Sequence, residues 1–284
     1  MYRCLSPGAI GIPATLDQGL LLAQAAGFEG LEINIGEVAG RARETSMGDV
    51  KQLFRDAGLT PGAWGLSVNY RAGEADFQKD LDRLPALAEA ARELGCTRTA
   101  TWIMPFSDEL TYQENFAWHK DRMGRVARIL GEYGCRLGLE FIGPATSRRG
   151  KKHEFIYNMA QMLELAAACG DNVGLLLDCW HWYTSGGTVD ELKKLRPEDV
   201  VYVHVNDAPA GVRVDEQKDN VRCLPGETGV IDIRGFLRSL AEIGYDGPVT
   251  PEPFSQKLKE MNPDDAARVA GESMAKIWRE AGLA

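Results

Sequence analysis

The chain has 284 residues, with 32 Lys and Arg against 41 Asp and Glu, a formal net charge of −9. At 44% hydrophobic and 26% charged residues it has the make-up of an ordinary globular protein, which excludes a mainly disordered chain. The acidic balance argues against a nucleic-acid partner, because phosphate contacts need clustered Lys and Arg.

At the N-terminus, Met1-Tyr2-Arg3-Cys4 has no long apolar core behind it, so no secretory signal is expected. The longest uncharged stretch, Leu5 to Leu16, is broken by prolines and glycines. It falls short of the roughly 20 apolar residues that span a bilayer, so no membrane partner is expected. The six cysteines (4, 96, 135, 169, 179 and 223) show no CxxC spacing and sit mostly in apolar runs. They read as reduced, buried thiols of a cytoplasmic protein.

Further along, one unit recurs: a short apolar run, a polar loop, an amphipathic stretch, then a glycine before the next run. The runs predict strands over roughly 2–5, 30–34, 61–66, 97–103, 135–142, 173–178, 200–205 and 248–252. Helices are expected over roughly 16–26, 46–57, 77–94, 113–133, 155–169, 188–195, 233–243 and 264–281, many closed by a C-terminal glycine. Eight strands alternating with helices match a single (β/α)8 TIM barrel domain over residues 1–284. The rival open sheet would usually show GxGxxG after its first strand, and Ser6-Pro7-Gly8-Ala9-Ile10-Gly11 is not that motif.

In such a barrel the chemistry sits at the C-terminal strand ends. The fifth run ends with Glu140 and the sixth with Asp178; the seventh carries His204 and the eighth Glu252. One acidic group at a strand end is more often a helix cap or an ion-pair partner. Four ligand-type residues on successive strands point to a divalent metal ion, since three carboxylates brought together would otherwise repel. Mostly oxygen donors with one nitrogen suit Mn2+ best, with Mg2+, Co2+ or Zn2+ as alternatives.

These residues, with Gly27-Phe28-Glu29-Gly30-Leu31-Glu32, Asp178-Cys179-Trp180-His181, His204-Val205-Asn206-Asp207 and the loop Leu224-Pro225-Gly226-Glu227-Thr228-Gly229-Val230-Ile231-Asp232, resemble the xylose-isomerase-like barrel superfamily of sugar isomerases and epimerases. The resemblance covers nearly the whole chain. It implies that Glu140, Asp178, His204 and Glu252 hold the metal, and that Glu140 and Glu252 are also the acid/base pair across a keto-sugar. It further implies that His181 binds a substrate oxygen, that Glu32 stands at a site position, and that the partner is a small sugar, with a homo-oligomer as the common assembly. Trp64, Trp102, Trp180, Trp182 and Phe254 lie near strand ends, where aromatic faces suit sugar C–H surfaces; about half of them are expected to be ordinary core.

Two positions depart from the epimerase pattern. The Arg expected six residues after the metal His is Ala210, which leaves Arg213 or Arg222 for that role, and the Glu expected six residues after Glu140 is Thr146. The segment Gly143 to His153 instead gathers four cations and a histidine, readable as a solvated loop or as an anion clamp with His153 as proton carrier. His119, within a helix, is expected at the surface. The leading expectation is an isomerase or epimerase acting through an enediolate. The alternative is a lyase on the same scaffold, resembling inosose dehydratases or enzymes that cleave 3-keto-glycosides, and the two departures together with His153 favour it. A phosphodiesterase of the endonuclease IV kind would need many His, and the chain has four.

Overall fold

The structure, a computed structural model, describes residues 1–283; Ala284, the last residue of the expected domain, lies outside the described residues. Eight strands form the barrel: β1 (Tyr2–Leu5), β2 (Gly30–Ile33), β3 (Thr60–Gly65), β4 (Arg98–Ile103), β5 (Arg136–Phe141), β6 (Val173–Asp178), β7 (Val200–Val205) and β8 (Pro248–Pro251). Each pairs in parallel with its neighbours in sequence, and β1 closes the ring on β8 with Tyr2 opposite Pro248. The sequence-based bounds hold within two residues. The apolar runs are long because parallel strands in a barrel are buried on both faces.

The longer helices are α1 (Leu16–Ala25), α2 (Ile35–Glu44), α3 (Met47–Ala57), α4 (Glu74–Leu94) and α5 (Tyr112–Glu132), then α7 (Met159–Cys169), α10 (Ile233–Glu242) and α12 (Pro263–Ala281). Short helices fill the connections: α6 (Ala145–Arg148), α8 (Cys179–Thr184), α9 (Val189–Leu192) and α11 (Gln256–Lys259). Gly58 (φ 65°) and Gly95 (φ 87°) close α3 and α4 in the left-handed conformation, as their positions predicted. α2 and α8 lie outside the expected helices. Polar, glycine-bearing α2 is launched by Asn34, whose side chain accepts from the amides of Gly36 and Glu37. α8 begins directly on Asp178, which caps it by accepting from the Trp180 amide. α7 starts later than expected because residues 153–154 pair antiparallel with Phe106–Ser107 in a small ribbon on the rim.

Inside the barrel, Ala63, Ala100, Leu176 and Tyr202 pack as a plug below the rim. Above this layer the strand ends are free to present polar groups. His119 corrects its surface expectation: it is 4% exposed, stacks on Phe155 with ring centroids 5.0 Å apart, and meets Trp118 edge-on at 4.8 Å. The segment that leads from the ribbon into α7 covers this face of α5. His119 Nδ1 donates to the Asn115 carbonyl at 2.9 Å, and burial pushes its pKa down to about 4. The described cysteines are free thiols, buried apart from half-buried Cys223. Among the described residues no helix is long and apolar enough to cross a membrane.

Candidate metal centre and cavity

Barrel closure converts four strand ends into one cluster. In the β6–β7 register Asp178 lies beside His204, and in the β7–β8 register Thr250 lies beside His204, which sets Glu252 one step further up the rim. The Glu252 amide donates to Val205 O at 3.0 Å and fixes that step. One donor atom each from Glu140, Asp178, His204 and Glu252 falls within 4.8 Å of the others.

The donor chemistry fits a divalent cation. Glu140 Oε1 and both ring nitrogens of His204 are buried and have no hydrogen-bond partner. Buried polar atoms without partners are costly and rare. With Glu140 ionised and His204 neutral, as ligands must be, the buried guanidinium of Arg222 offsets one of the three clustered carboxylates and leaves two negative charges for a dication to balance. The surroundings hold the donors still. Asp178 Oδ1 accepts from Trp180 N (2.8 Å) and Asn206 Nδ2 (3.0 Å), which turns Oδ2 toward the cluster. His204 rests edge-on against Tyr202 at 4.7 Å.

Among the protein groups alone, burial and the neighbouring Glu252 push the Glu140 carboxyl well above the usual range. Burial also raises Glu252, but His204 and Arg222 outweigh it and hold that carboxyl at about 2. Burial lowers His204, and the carboxylates of Glu252, Glu140 and Asp178 reverse this and lift it to about 10. Three carboxylates thus compete for positive charge, which the imidazole and the guanidinium supply only in part.

A cavity of about 450 Å3 opens above the cluster, lined by Trp102, Glu140, His181, Arg222, Glu252 and Phe254 among others. Arg222 is the cation that reaches it. Its Nη1 donates to Asp178 Oδ2 (2.7 Å) and Glu252 Oε2 (3.0 Å), and its Nη2 donates to Asp219 Oδ1 (2.9 Å). Its plane lies 4.4 Å from the Phe254 ring centre and 5.4 Å from that of Trp180. Phe254 adopts φ 42°, the one positive-φ residue other than glycine among the described residues, so the wall is held in a strained backbone. His181 projects from α8 with Nε2 3.9 Å from Glu140 Oε1, and burial keeps its pKa down at about 3.

Other expected site residues lie elsewhere. Arg213 is exposed and folds back on Asp215 at 3.0 Å; of the two arginines left for that role, Arg222 is the one that lines the cavity. His153 sits opposite Ser107 in the rim ribbon and is not part of the cavity lining. The cations of its loop hold neighbouring loops: Arg148 Nη1 donates to Gly143 O, Arg149 Nη2 donates to Asp215 O, and Lys151 pairs with Asp108. Trp64, Trp180 and Trp182 are buried core, whereas Trp102 and Phe254 line the cavity. Glu32 accepts from the Tyr202 hydroxyl at 2.6 Å and lines a second cavity of about 440 Å3 over the β1–β3 side of the rim, with Ser6, Asn34 and Ser67.

Sequence reasoning did not single out Asp219, Asn206 or Gly143. Asn206 was within reach, standing two residues beyond His204. Asp207, quoted only as part of a motif, holds the 224–232 loop: its carboxylate accepts from the amides of Thr228, Gly229 and Ile231. An antiparallel bridge from Asp207 to Cys223 then delivers Arg222 to the cavity.

Known proteins resemble the chain throughout. It is 23% identical over 283 residues to the inosose isomerase of Bacillus velezensis, covering 98% of this chain and 97% of that one. It is 26% identical over 259 residues to the 3-dehydroshikimate dehydratase of Pseudomonas putida, covering 89% of this chain but 38% of that longer protein. A solved xylose isomerase domain protein from Alicyclobacillus acidocaldarius superposes with a TM-score of 0.88 at 30% identity, covering 99% of both chains. The model of the xylose isomerase-like TIM barrel family matches residues 20–278, and this chain belongs to that family.

Proposed function

We propose that this protein is a divalent-metal-dependent isomerase or epimerase of a keto-sugar or keto-polyol, which removes a proton alpha to a carbonyl and returns it after an enediolate forms. The observation that carries the reading is the convergence of Glu140, Asp178, His204 and Glu252 on the floor of a cavity walled by Trp102 and Phe254. A divalent ion held by these four donors, with Mn2+ suited best by the oxygen-rich set, would supply Lewis-acid stabilisation of the enediolate oxygens. Glu140 and Glu252 belong to different strand ends and both line the cavity, so one removes the proton and the other returns it. His181 and Arg222 donate to a substrate oxygen. Trp102 and Phe254 cover the C–H face of the substrate.

The test is incubation of the Mn-loaded protein in D2O with a panel of ketoses, inososes and 3-keto-glycosides, read by NMR. Solvent deuterium should enter recovered substrate and product. Turnover without deuterium entry would sink the proposal in favour of a hydride shift or hydrolysis.

The similarity to a 3-dehydroshikimate dehydratase supports a second reading, elimination from the same enediolate. It predicts an unsaturated product in the same spectra. His153→Ala decides the part of that residue. A loss graded by leaving-group quality places His153 at the leaving group, and an unchanged series removes it from the chemistry.

A further inference from the structure

His181 is anchored from an unexpected direction. The backbone N–H of Gly143, two residues past the end of β5, donates to His181 Nδ1 at 3.1 Å. A ring nitrogen that accepts a hydrogen bond carries no proton, so the neutral imidazole must hold its proton on Nε2. A protonated ring would set two donors against each other at Nδ1, so the same contact also opposes protonation.

Nε2 points into the donor cluster, yet no acceptor stands within hydrogen-bond distance. The nearest carboxylate oxygens are Asp219 Oδ1 at 3.8 Å, with Glu140 Oε1 and Asp178 Oδ2 at 3.9 Å. The closer neighbour is Arg222 Nη2 at 3.3 Å, itself a donor; it competes with the Gly143 N–H for the ring, and the backbone amide, which cannot turn away as a side chain can, decides the tautomer. Two N–H donors facing each other in a buried place call for one acceptor between them, and the His181 side chain is 1% exposed.

The approach that makes this possible requires glycine. A Cβ on residue 143 would stand 2.3 Å from the His181 carbonyl oxygen and 2.6 Å from Thr184 Oγ1. The φ of Gly143 lies outside the left-handed region, so the requirement is for space alone.

We propose that Gly143 is a positioning residue that fixes His181 as the Nε2–H tautomer, so that His181 and Arg222 together present two donors to one anionic substrate oxygen and His181 is excluded as the base. The identity of that oxygen rests on the isomerase reading; the tautomer does not.

The experiment is long-range 1H–15N correlation of the histidine side chains in protein loaded with diamagnetic Zn2+, with His181 assigned from a His181→Gln spectrum. Only four histidines contribute signals. The wild type should show His181 with a protonated, pyrrole-type Nε2 and a bare Nδ1, whether or not a substrate has been found. A proton on Nδ1 would overturn the proposal. In Gly143→Ala the pattern should become mixed or reversed, and kcat and kcat/KM should fall together by roughly 10–100-fold. A folded Gly143→Ala protein that keeps the wild-type tautomer and turnover would remove Gly143 from this role. If that variant does not fold, the wild-type spectrum still decides.

Discussion

Two arginine-bearing segments border the rim, and their cations have opposite fates. The 143–153 segment after β5 carries four cations and a histidine, readable in the sequence as a solvated loop or as an anion clamp. The 206–232 segment after β7 sends a single guanidinium into the cavity. In the first, Arg148 donates to Gly143 O within the segment while Arg149 and Lys151 tie it to other loops, and the second sets Arg222 between Asp178, Glu252 and Asp219. The difference is burial with opposite charge. An exposed cation gains little from its partner, whereas a buried one beside carboxylates becomes part of the site's electrostatics.

The sharpest way to break this comparison is Arg222→Met. It strips the positive charge from buried Asp178 and Glu252, which should cost roughly 3–5 kcal/mol in chelator-treated protein. A bound dication replaces much of that charge, so the loss should shrink in Mn-loaded protein. Denaturant titrations with and without the ion check this, and equal losses would count against a shared charge balance.

A pH effect of comparable size belongs to His119, far from these carboxylates. Its folded pKa of about 4 lies below the ordinary value near 6.5, so between these values the unfolded chain binds the extra proton. Stability should therefore fall as pH drops from about 6.5 to 4, by about 3 kcal/mol in total from this group. His119→Phe should flatten that slope in chelator-treated protein. An unchanged slope would assign the acid lability elsewhere.

Phe254→Gly should change stability by less than about 1 kcal/mol, because relief of the left-handed backbone offsets the lost contact with Arg222. KM should still rise, by roughly tenfold, as the apolar wall goes. The smallest effects are expected for Arg213→Ala and Arg149→Ala, each leaving stability essentially unchanged and turnover within a factor of about two. A large loss in either would erase the contrast between the two segments.

The barrel and its four ligand-type residues were legible in the sequence because both follow from local pattern. Apolar runs end in Glu, Asp, His and Glu, and parallel pairing brings successive strand ends together whatever the loops do. Arg222 was not separable from Arg213 because both lie on a long connection without a strand or α-helix. Its path is fixed by the carboxylate of Asp207 reaching amides more than twenty residues away. Gly143 carries no signal of its own in the sequence, and only the approach of α8 gives its N–H a partner. His119 looked like a surface residue because its cover comes from the segment entering α7, distant in sequence.

The most direct measurement is the metal content of purified wild-type, Asp178→Asn, His204→Ala and Arg213→Ala proteins after loading with Mn2+ and desalting. One ion per chain is expected in the wild type and in Arg213→Ala, with occupancy and turnover falling together in the other two. Full occupancy and full turnover in both Asp178→Asn and His204→Ala would contradict the assignment of the rim cluster as the metal centre.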